Sequence, residues 1–104
     1  MTTTLHSVLE KVRDEHLSLE LCEKFRDELI HLRTQILLVE ADLRKKRAMF
    51  LVNNKEISVA QRKIEWEATA DGQRLLELAA DLRALPSEIS SLQSRIYSHL
   101  RLQG

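Results

Sequence analysis

Two runs of apolar residues, each with alternating steps of three and four, most strongly constrain how this chain can fold. The first run consists of Phe25, Leu29, Leu32, Ile36, Val39, Leu43 and Phe50. The second run consists of Leu75, Leu78, Leu82, Leu85, Ile89, Leu92 and Ile96. This spacing puts one apolar stripe along a helix and is typical of heptad repeats in coiled coils. The sequence therefore predicts an all-α fold built on two long helices.

A polar segment between the two runs predicts that the chain reverses there. Asn53, Asn54 and Lys55 have turn-forming chemistry, because asparagine tolerates left-handed backbone angles. Ser58 followed by Gln61 is a capping-box pattern that marks a helix start. With only two glycines and one proline elsewhere in 104 residues, we expect a long antiparallel helical hairpin, a coiled coil.

The expected hairpin is a single domain spanning residues 1–104. Ser7 with Glu10 repeats the capping pattern near the start of the chain, so helix 1 is expected at about 7–52. The turn is expected at 53–57 and helix 2 at about 58–102. A turn centred near residue 54 would pair residue i with about residue 108 − i, and apolar residues then face each other along most of the hairpin.

Several residues predict weak points in these two helices. Pro86 interrupts the second apolar run, and a proline removes a backbone donor, so a kink or break is expected near it. The pairing rule puts this point beside Cys22, where the first run slips by one residue. Alternatively, residues 16–18 end one helix and Ser18 caps the next. Asp71 before Gly72 is a further candidate cap, so a three- or four-helix layout stays open.

Additional apolar residues predict a second interface. A two-helix coiled coil buries only positions a and d, whereas these residues occupy other positions. They are Ile30, Leu37, Leu38 and Leu76. Wide apolar faces indicate a further partner, and a hairpin alone buries little surface. We expect a homodimer that closes into a four-helix bundle; the alternatives are residues that are singly exposed, or docking of a different protein.

The charge distribution is strongly polarised although the net charge is zero. Residues 43–63 carry one acidic residue, Glu56, and seven basic ones, a net charge of +6. The basic residues are Arg44, Lys45, Lys46, Arg47, Lys55, Arg62 and Lys63. This basic tip predicts contact with phosphates or an acidic protein, with a solvated helix end as the alternative. Trp66 lies near it and is expected either to stack on a base or, more simply, to pack in the core.

No motif in the sequence carries catalytic chemistry. The four histidines lack the i, i+3 or i, i+4 spacing of a metal site, and Cys22, the only cysteine, is expected to be a reduced core thiol. Glycine-rich phosphate loops and nucleophile elbows do not occur. We therefore expect no enzyme, no cofactor, no metal and no small-molecule substrate. The start of the chain lacks the pattern of a signal peptide and no apolar run reaches membrane-spanning length, which predicts a cytoplasmic protein without membrane contact.

The second half of the chain resembles a group of small helical coiled-coil proteins encoded in tailed-phage and prophage genomes. The resemblance is carried by Ser58-Val59-Ala60-Gln61-Arg62-Lys63, Trp66-Glu67-Ala68-Thr69-Ala70-Asp71, Leu82-Arg83-Ala84-Leu85 and Ser91-Leu92-Gln93-Ser94-Arg95-Ile96. Most members of this group have no assigned function, and some are encoded near genes for recombination or single-strand DNA handling. Pro86 departs from the uninterrupted helix expected of such a protein.

Three functions are consistent with these features. The first is a non-enzymatic interaction or structural protein, phage-encoded by the resemblance, that docks a protein partner. The second is a nucleic-acid-binding accessory of recombination or replication that uses the basic tip. The third is an inhibitor of a host or phage protein complex. The shape of the chain permits this function, but no particular residue supports it.

Overall fold

The computed structural model describes residues 5–103, and this part of the chain is all-α, as expected. It contains α1 (Leu5–Val12), α2 (Leu19–Asn53), α3 (Val59–Glu67) and α4 (Ala70–Gln103). The long helices α2 and α4 lie side by side and run in opposite directions. The molecule is an elongated hairpin with extents of 66 × 23 × 17 Å. None of the described helices has an apolar stretch long enough to cross a membrane.

The core is the aliphatic seam between α2 and α4. Leu29, Leu85 and Leu92 are almost completely shielded from water, and each such side chain stabilises the fold by about 1.5–3 kcal/mol. The same cluster contains further members of both apolar runs, Cys22 of α2 and two residues that precede α2. These are Val8, Leu17, Cys22, Phe25, Leu32, Ile36 and Ile96. The prediction that the two runs pack in one core is confirmed, and Cys22 is a buried free thiol as expected.

The first arm of the hairpin, α1 and α2, pairs with the second arm, α3 and α4, in a different register from the one expected over residues 17–50, whereas Arg95 bonds to Val12 and Asp14 close to the expected 108 − i. The rings of Phe50 and Trp66 have centroids 5.8 Å apart, and His99 Nε2 donates to the carbonyl oxygen of Leu17 at 2.9 Å. The residue numbers of each pair sum to 116, whereas the sequence predicted about 108. Because α2 ends at Asn53 and α3 begins at Val59, the turn is centred at residue 56 and not at 54, which accounts for about half of this shift.

The first arm is interrupted, so the prediction of one helix over 7–52 is wrong; the alternative break with Ser18 as the next cap is confirmed, but α1 ends at Val12 and not at residues 16–18. Ser18 is the N-cap of α2, and its hydroxyl oxygen accepts from the amide of Leu21 at 3.2 Å. The guanidinium of Arg95 donates to the carbonyl oxygens of Val12 and Asp14, which satisfies acceptors left open where α1 ends. Ser7 lies inside α1, so it does not start a helix there.

The turn at the other end is held by side chains that bond to the backbone. The side-chain amide of Asn54 donates to the carbonyl oxygen of Phe50 at 2.6 Å and closes α2. The backbone φ of Asn54 is −109°, not the left-handed angle expected. Ser58 caps α3 by accepting from the amide of Gln61 at 3.1 Å, so this predicted helix start is confirmed. The side chain of Gln61 bonds to Glu65, so only half of the capping box forms.

The second arm is interrupted at residues 68–69 and not at Pro86. The hydroxyl oxygen of Thr69 accepts from the amide of Gly72 at 3.0 Å, so Thr69, and not Asp71, caps α4. Gly72 is buried tightly against the end of α3, because a Cβ there would lie 2.0 Å from the carbonyl oxygen of Trp66. The break therefore depends on a residue without a side chain.

Helix α4 passes through Pro86 without interruption, so a break there is wrong, and a kink stays a prediction. A proline inside a helix leaves the carbonyl four residues earlier without its donor. Pro86 is on the exposed side of α4, where solvent can satisfy that carbonyl. Leu85 and Leu92 anchor the opposite side of the helix in the seam, and their burial outweighs the lost hydrogen bond.

Gly72→Ala is expected to destabilise the protein, although alanine normally favours a helix over glycine by up to about 1 kcal/mol. The clash is with backbone atoms of Trp66, so we expect the free energy of unfolding to fall by about 1–3 kcal/mol. Urea unfolding followed by circular dichroism would measure it. The control is Ala80→Gly, at an exposed position of α4, which measures how much an exchange between alanine and glycine changes stability through helix propensity alone. A higher melting temperature for Gly72→Ala would contradict the close approach.

Candidate functional site

An exposed apolar stripe runs along α2 on the side away from α4. It is centred on Ile30, Leu37 and Leu38, which are 44%, 41% and 69% exposed. Thr34 and Ala41 are exposed between and beside them. In the heptad of the α2 seam these five residues occupy positions b, c and f, which point away from the partner helix. We call this set, Ile30, Thr34, Leu37, Leu38 and Ala41, the outer stripe.

Leu76 does not join the outer stripe. It is 51% exposed, but it belongs to α4 and occupies position b of that helix's own heptad. Position b of α4 points away from α2, so the seam separates Leu76 from Leu37 and Leu38. The four residues predicted as one interface are thus all exposed but lie on opposite sides of the hairpin.

Charged residues flank the outer stripe at both ends along the same face of α2. On the N-terminal side, Glu20, Glu23 and Asp27 are exposed, and the same stretch contains two basic residues, the exposed Lys24 and the half-buried Arg26. On the C-terminal side, Arg44 and Lys45 are exposed. From its N-terminal to its C-terminal end, the outer face of α2 is therefore first mainly acidic, then apolar and then basic.

The basic tip does not form one uniform patch. Arg44 pairs with Glu40 at 3.1 Å, and Lys46 Nζ lies 3.6 Å from a carboxylate oxygen of Asp42. Arg47 is half-buried. Four consecutive residues of a helix also point in four directions, so residues 44–47 cannot all meet one flat partner.

Three exposed lysines remain at the tip. Lys45, Lys55 and Lys63 form no salt bridge with any residue that the structure describes. They lie on α2, in the turn and on α3 respectively. These ammonium groups are the part of the predicted anion-contact set that is open to a partner.

Arg62 holds the turn together and is not free to contact a partner. Its guanidinium donates to the carbonyl oxygen of Leu51 at 2.5 Å and to that of Ile57 at 3.0 Å. The side chain is half-buried and ties α3 to the end of α2. Arg62 therefore holds the turn that carries Lys55.

Trp66 is a core residue and not a stacking platform. Its side chain is 5% exposed, and its ring packs at 52° to the ring of Phe50. A base cannot reach a ring face that is covered in this way. Of the two sequence-based expectations for Trp66, core packing is the one confirmed.

An open groove of about 390 Å³ lies at the opposite end of the hairpin, and sequence reasoning did not anticipate it. It lies between the 13–18 segment and the end of α4. Its polar side chains include Arg95 and His99, which bond to the backbone carbonyls of Asp14 and Leu17 in that segment. These groups hold the fold together. No spacing in the sequence marks them, because their partners lie more than 80 residues away in the chain.

Comparisons with known proteins add no family to this description. No protein-family model, no curated protein and no solved structure matches the chain. Within residues 5–103, no group of three His, Cys, Asp or Glu side chains is arranged to hold a metal ion. The class that the fold defines is an all-α helical hairpin with an exposed outer stripe and a divided basic tip.

Arg62→Met is expected to destabilise the turn, whereas Lys63→Met is not. The first change leaves two carbonyl oxygens without their donor and should cost about 1–3 kcal/mol. The second removes an exposed charge and should change stability by less than about 0.5 kcal/mol. Urea unfolding of both variants at one protein concentration tests the difference. Equal stabilities would show that Arg62 is no more than a surface charge.

Proposed function

We propose that this chain is a non-enzymatic protein-interaction protein that forms a homodimer through the outer stripe of α2. The observation that carries the proposal is the group of large aliphatic side chains exposed along one face of α2 at Ile30, Leu37 and Leu38. Single exposed leucines are ordinary on proteins, but contiguous apolar patches mark interaction sites. Aliphatic side chains offer no nucleophile and no acid or base, so the stripe suits docking and not catalysis.

The total exposed area supports association. A folded monomer of 12.1 kDa is expected to expose about 6,000 Å², whereas this hairpin exposes 7590 Å². The excess is about 1,600 Å², twice the roughly 800 Å² that each partner buries in a standard interface. A second hairpin on the outer stripe would bring the exposed area closer to that of a compact protein.

We further propose a phage-encoded accessory role in the cytoplasm, and this part rests on the resemblance of residues 58–96 alone. Coiled-coil supercoiling of the seam is likewise proposed from its heptad spacing. Inhibition of a host or phage complex is compatible with a docking surface, but no residue favours it over the homodimer.

Light scattering behind size-exclusion chromatography is expected to give twice the chain mass of 12.1 kDa. Leu37→Glu/Leu38→Glu places charges in the contact and should weaken the dimer by more than about a hundredfold. Both side chains are exposed in the hairpin, so the helical content should stay unchanged by circular dichroism. Ile64→Glu, at an exposed residue of α3, is the matched control and should leave the dimer intact. A monomeric chain at high concentration would refute the proposal.

A nucleic-acid accessory role is the second candidate, and the three open lysines of the tip favour it. Lys45, Lys55 and Lys63 are exposed within a segment of net charge +6. Phosphate contacts of this kind are independent of base sequence and weaken as salt rises. With Trp66 buried, base stacking on that ring is not part of this candidate.

A gel-shift titration tests the second candidate. Binding to single-stranded or duplex DNA should weaken steeply between low and physiological salt, because released counterions drive it. Lys45→Ala/Lys55→Ala/Lys63→Ala should abolish it, and Arg83→Ala/Arg101→Ala, on α4 farther from the tip, should not. Absence of any shift at low salt would rule out this function.

A further inference from the structure

We infer that the second copy docks antiparallel on the outer face of α2, so that the basic end of each helix meets the acidic end of the other. This inference rests on the proposed homodimer and names the arrangement of the two copies. It is carried by the order of residue types along one exposed helix face and by the length of that helix. Both are independent of the exposed area that supports the dimer.

The outer face of α2 carries mainly acidic residues before its midpoint and basic residues after it. Helix α2 spans Leu19–Asn53, so its centre is residue 36, inside the outer stripe. Asp27 precedes the stripe at nine residues from this centre, and Lys45 follows it at the same distance. A two-fold axis at residue 36 pairs residue i with residue 72 − i. Asp27 then faces Lys45, and Thr34 faces Leu38.

The antiparallel pairing matches charge and apolar surface together. With the axis at residue 36, all of α2 overlaps its counterpart, and the stripe covers the stripe of the other copy. Asp27 lies opposite Lys45 of the second copy, and Glu23 and Glu20 lie opposite Met49 and Val52, about one and two helical turns beyond it. A two-fold contact of this kind is self-complementary, as closed dimers require.

A parallel pairing brings like charges together instead. Lys45 would face Lys45 and Asp27 would face Asp27, and the two basic tips, each of net charge +6, would lie side by side. Like charges directly opposite each other disfavour an interface. The apolar stripe alone would permit both orientations, so the flanking charges decide between them.

The charges in question are accessible for this role. Lys45 forms no salt bridge with any described residue, and Asp27 pairs only with its neighbour Arg26 at 3.1 Å while staying exposed. Arg44 is already engaged by Glu40, so Lys45 is the stronger test position. Because the outer stripe lies opposite the seam, the four long helices would form a layer in the order α4, α2, α2, α4.

Charge reversal at this pair tests the orientation. Lys45→Glu and Asp27→Lys should each raise the dimer dissociation constant about tenfold at low salt, since each places two like-charged pairs in the symmetric contact. The double variant Asp27→Lys/Lys45→Glu restores opposite charges and should return the constant to within about twofold of the original. Lys63→Glu, a reversal on α3, is the control and should leave it unchanged. Single reversals without effect, or a double variant that is not rescued, would overturn the antiparallel contact.

A distance between spin labels in the full-length chain gives an independent readout. One label at Asn53→Cys, with Cys22→Ala to remove the native thiol, would place the two labels about 51 Å apart along an antiparallel pair at 1.5 Å per residue. A parallel pair would bring them to about 10–20 Å, since packed helices lie about 10 Å apart. A dimer with the short distance overturns this inference and leaves the proposed function standing, whereas a monomer overturns both.

Discussion

The side chains of Leu29, Leu85 and Leu92 lie almost completely out of water between α2 and α4, and the other features of the molecule follow from that contact. An aliphatic seam with steps of three and four holds two helices side by side but covers only one face of each. It leaves the opposite face of α2 exposed over its whole length. The same contact that makes the hairpin therefore creates the outer stripe.

Polar side chains complete the fold where the seam ends. Arg62 ties α3 to the end of α2 at the turn, and Arg95 and His99 hold the segment between α1 and α2 at the other end. Each bonds to backbone carbonyls that a helix end leaves without a partner. Charged and titratable residues at both ends of this molecule are thus partly committed to structure, which reduces the number available to a partner.

The all-α class, the two arms and the exposure of Ile30, Leu37 and Leu38 could be predicted because heptad spacing determines which face of a helix is buried. The interruptions were harder to place. Pro86 was expected to kink or break α4, but its exposed position and the buried Leu85 beside it permit a continuous helix. The role of Gly72 depends on a backbone contact across a helix break. The structural position of Arg62 depends on carbonyls up to 11 residues away, which residue type alone does not reveal.

If the outer stripe is an association surface, the hairpin owes part of its stability to its second copy, because an elongated two-helix chain buries little surface alone. The dependence of the melting temperature on protein concentration measures this most directly. The dimer predicts a melting temperature that rises as the chain is concentrated from about 1 to 100 μM, because mass action favours the associated folded state. A melting temperature that is constant across this range, with a reversible transition, would contradict the account.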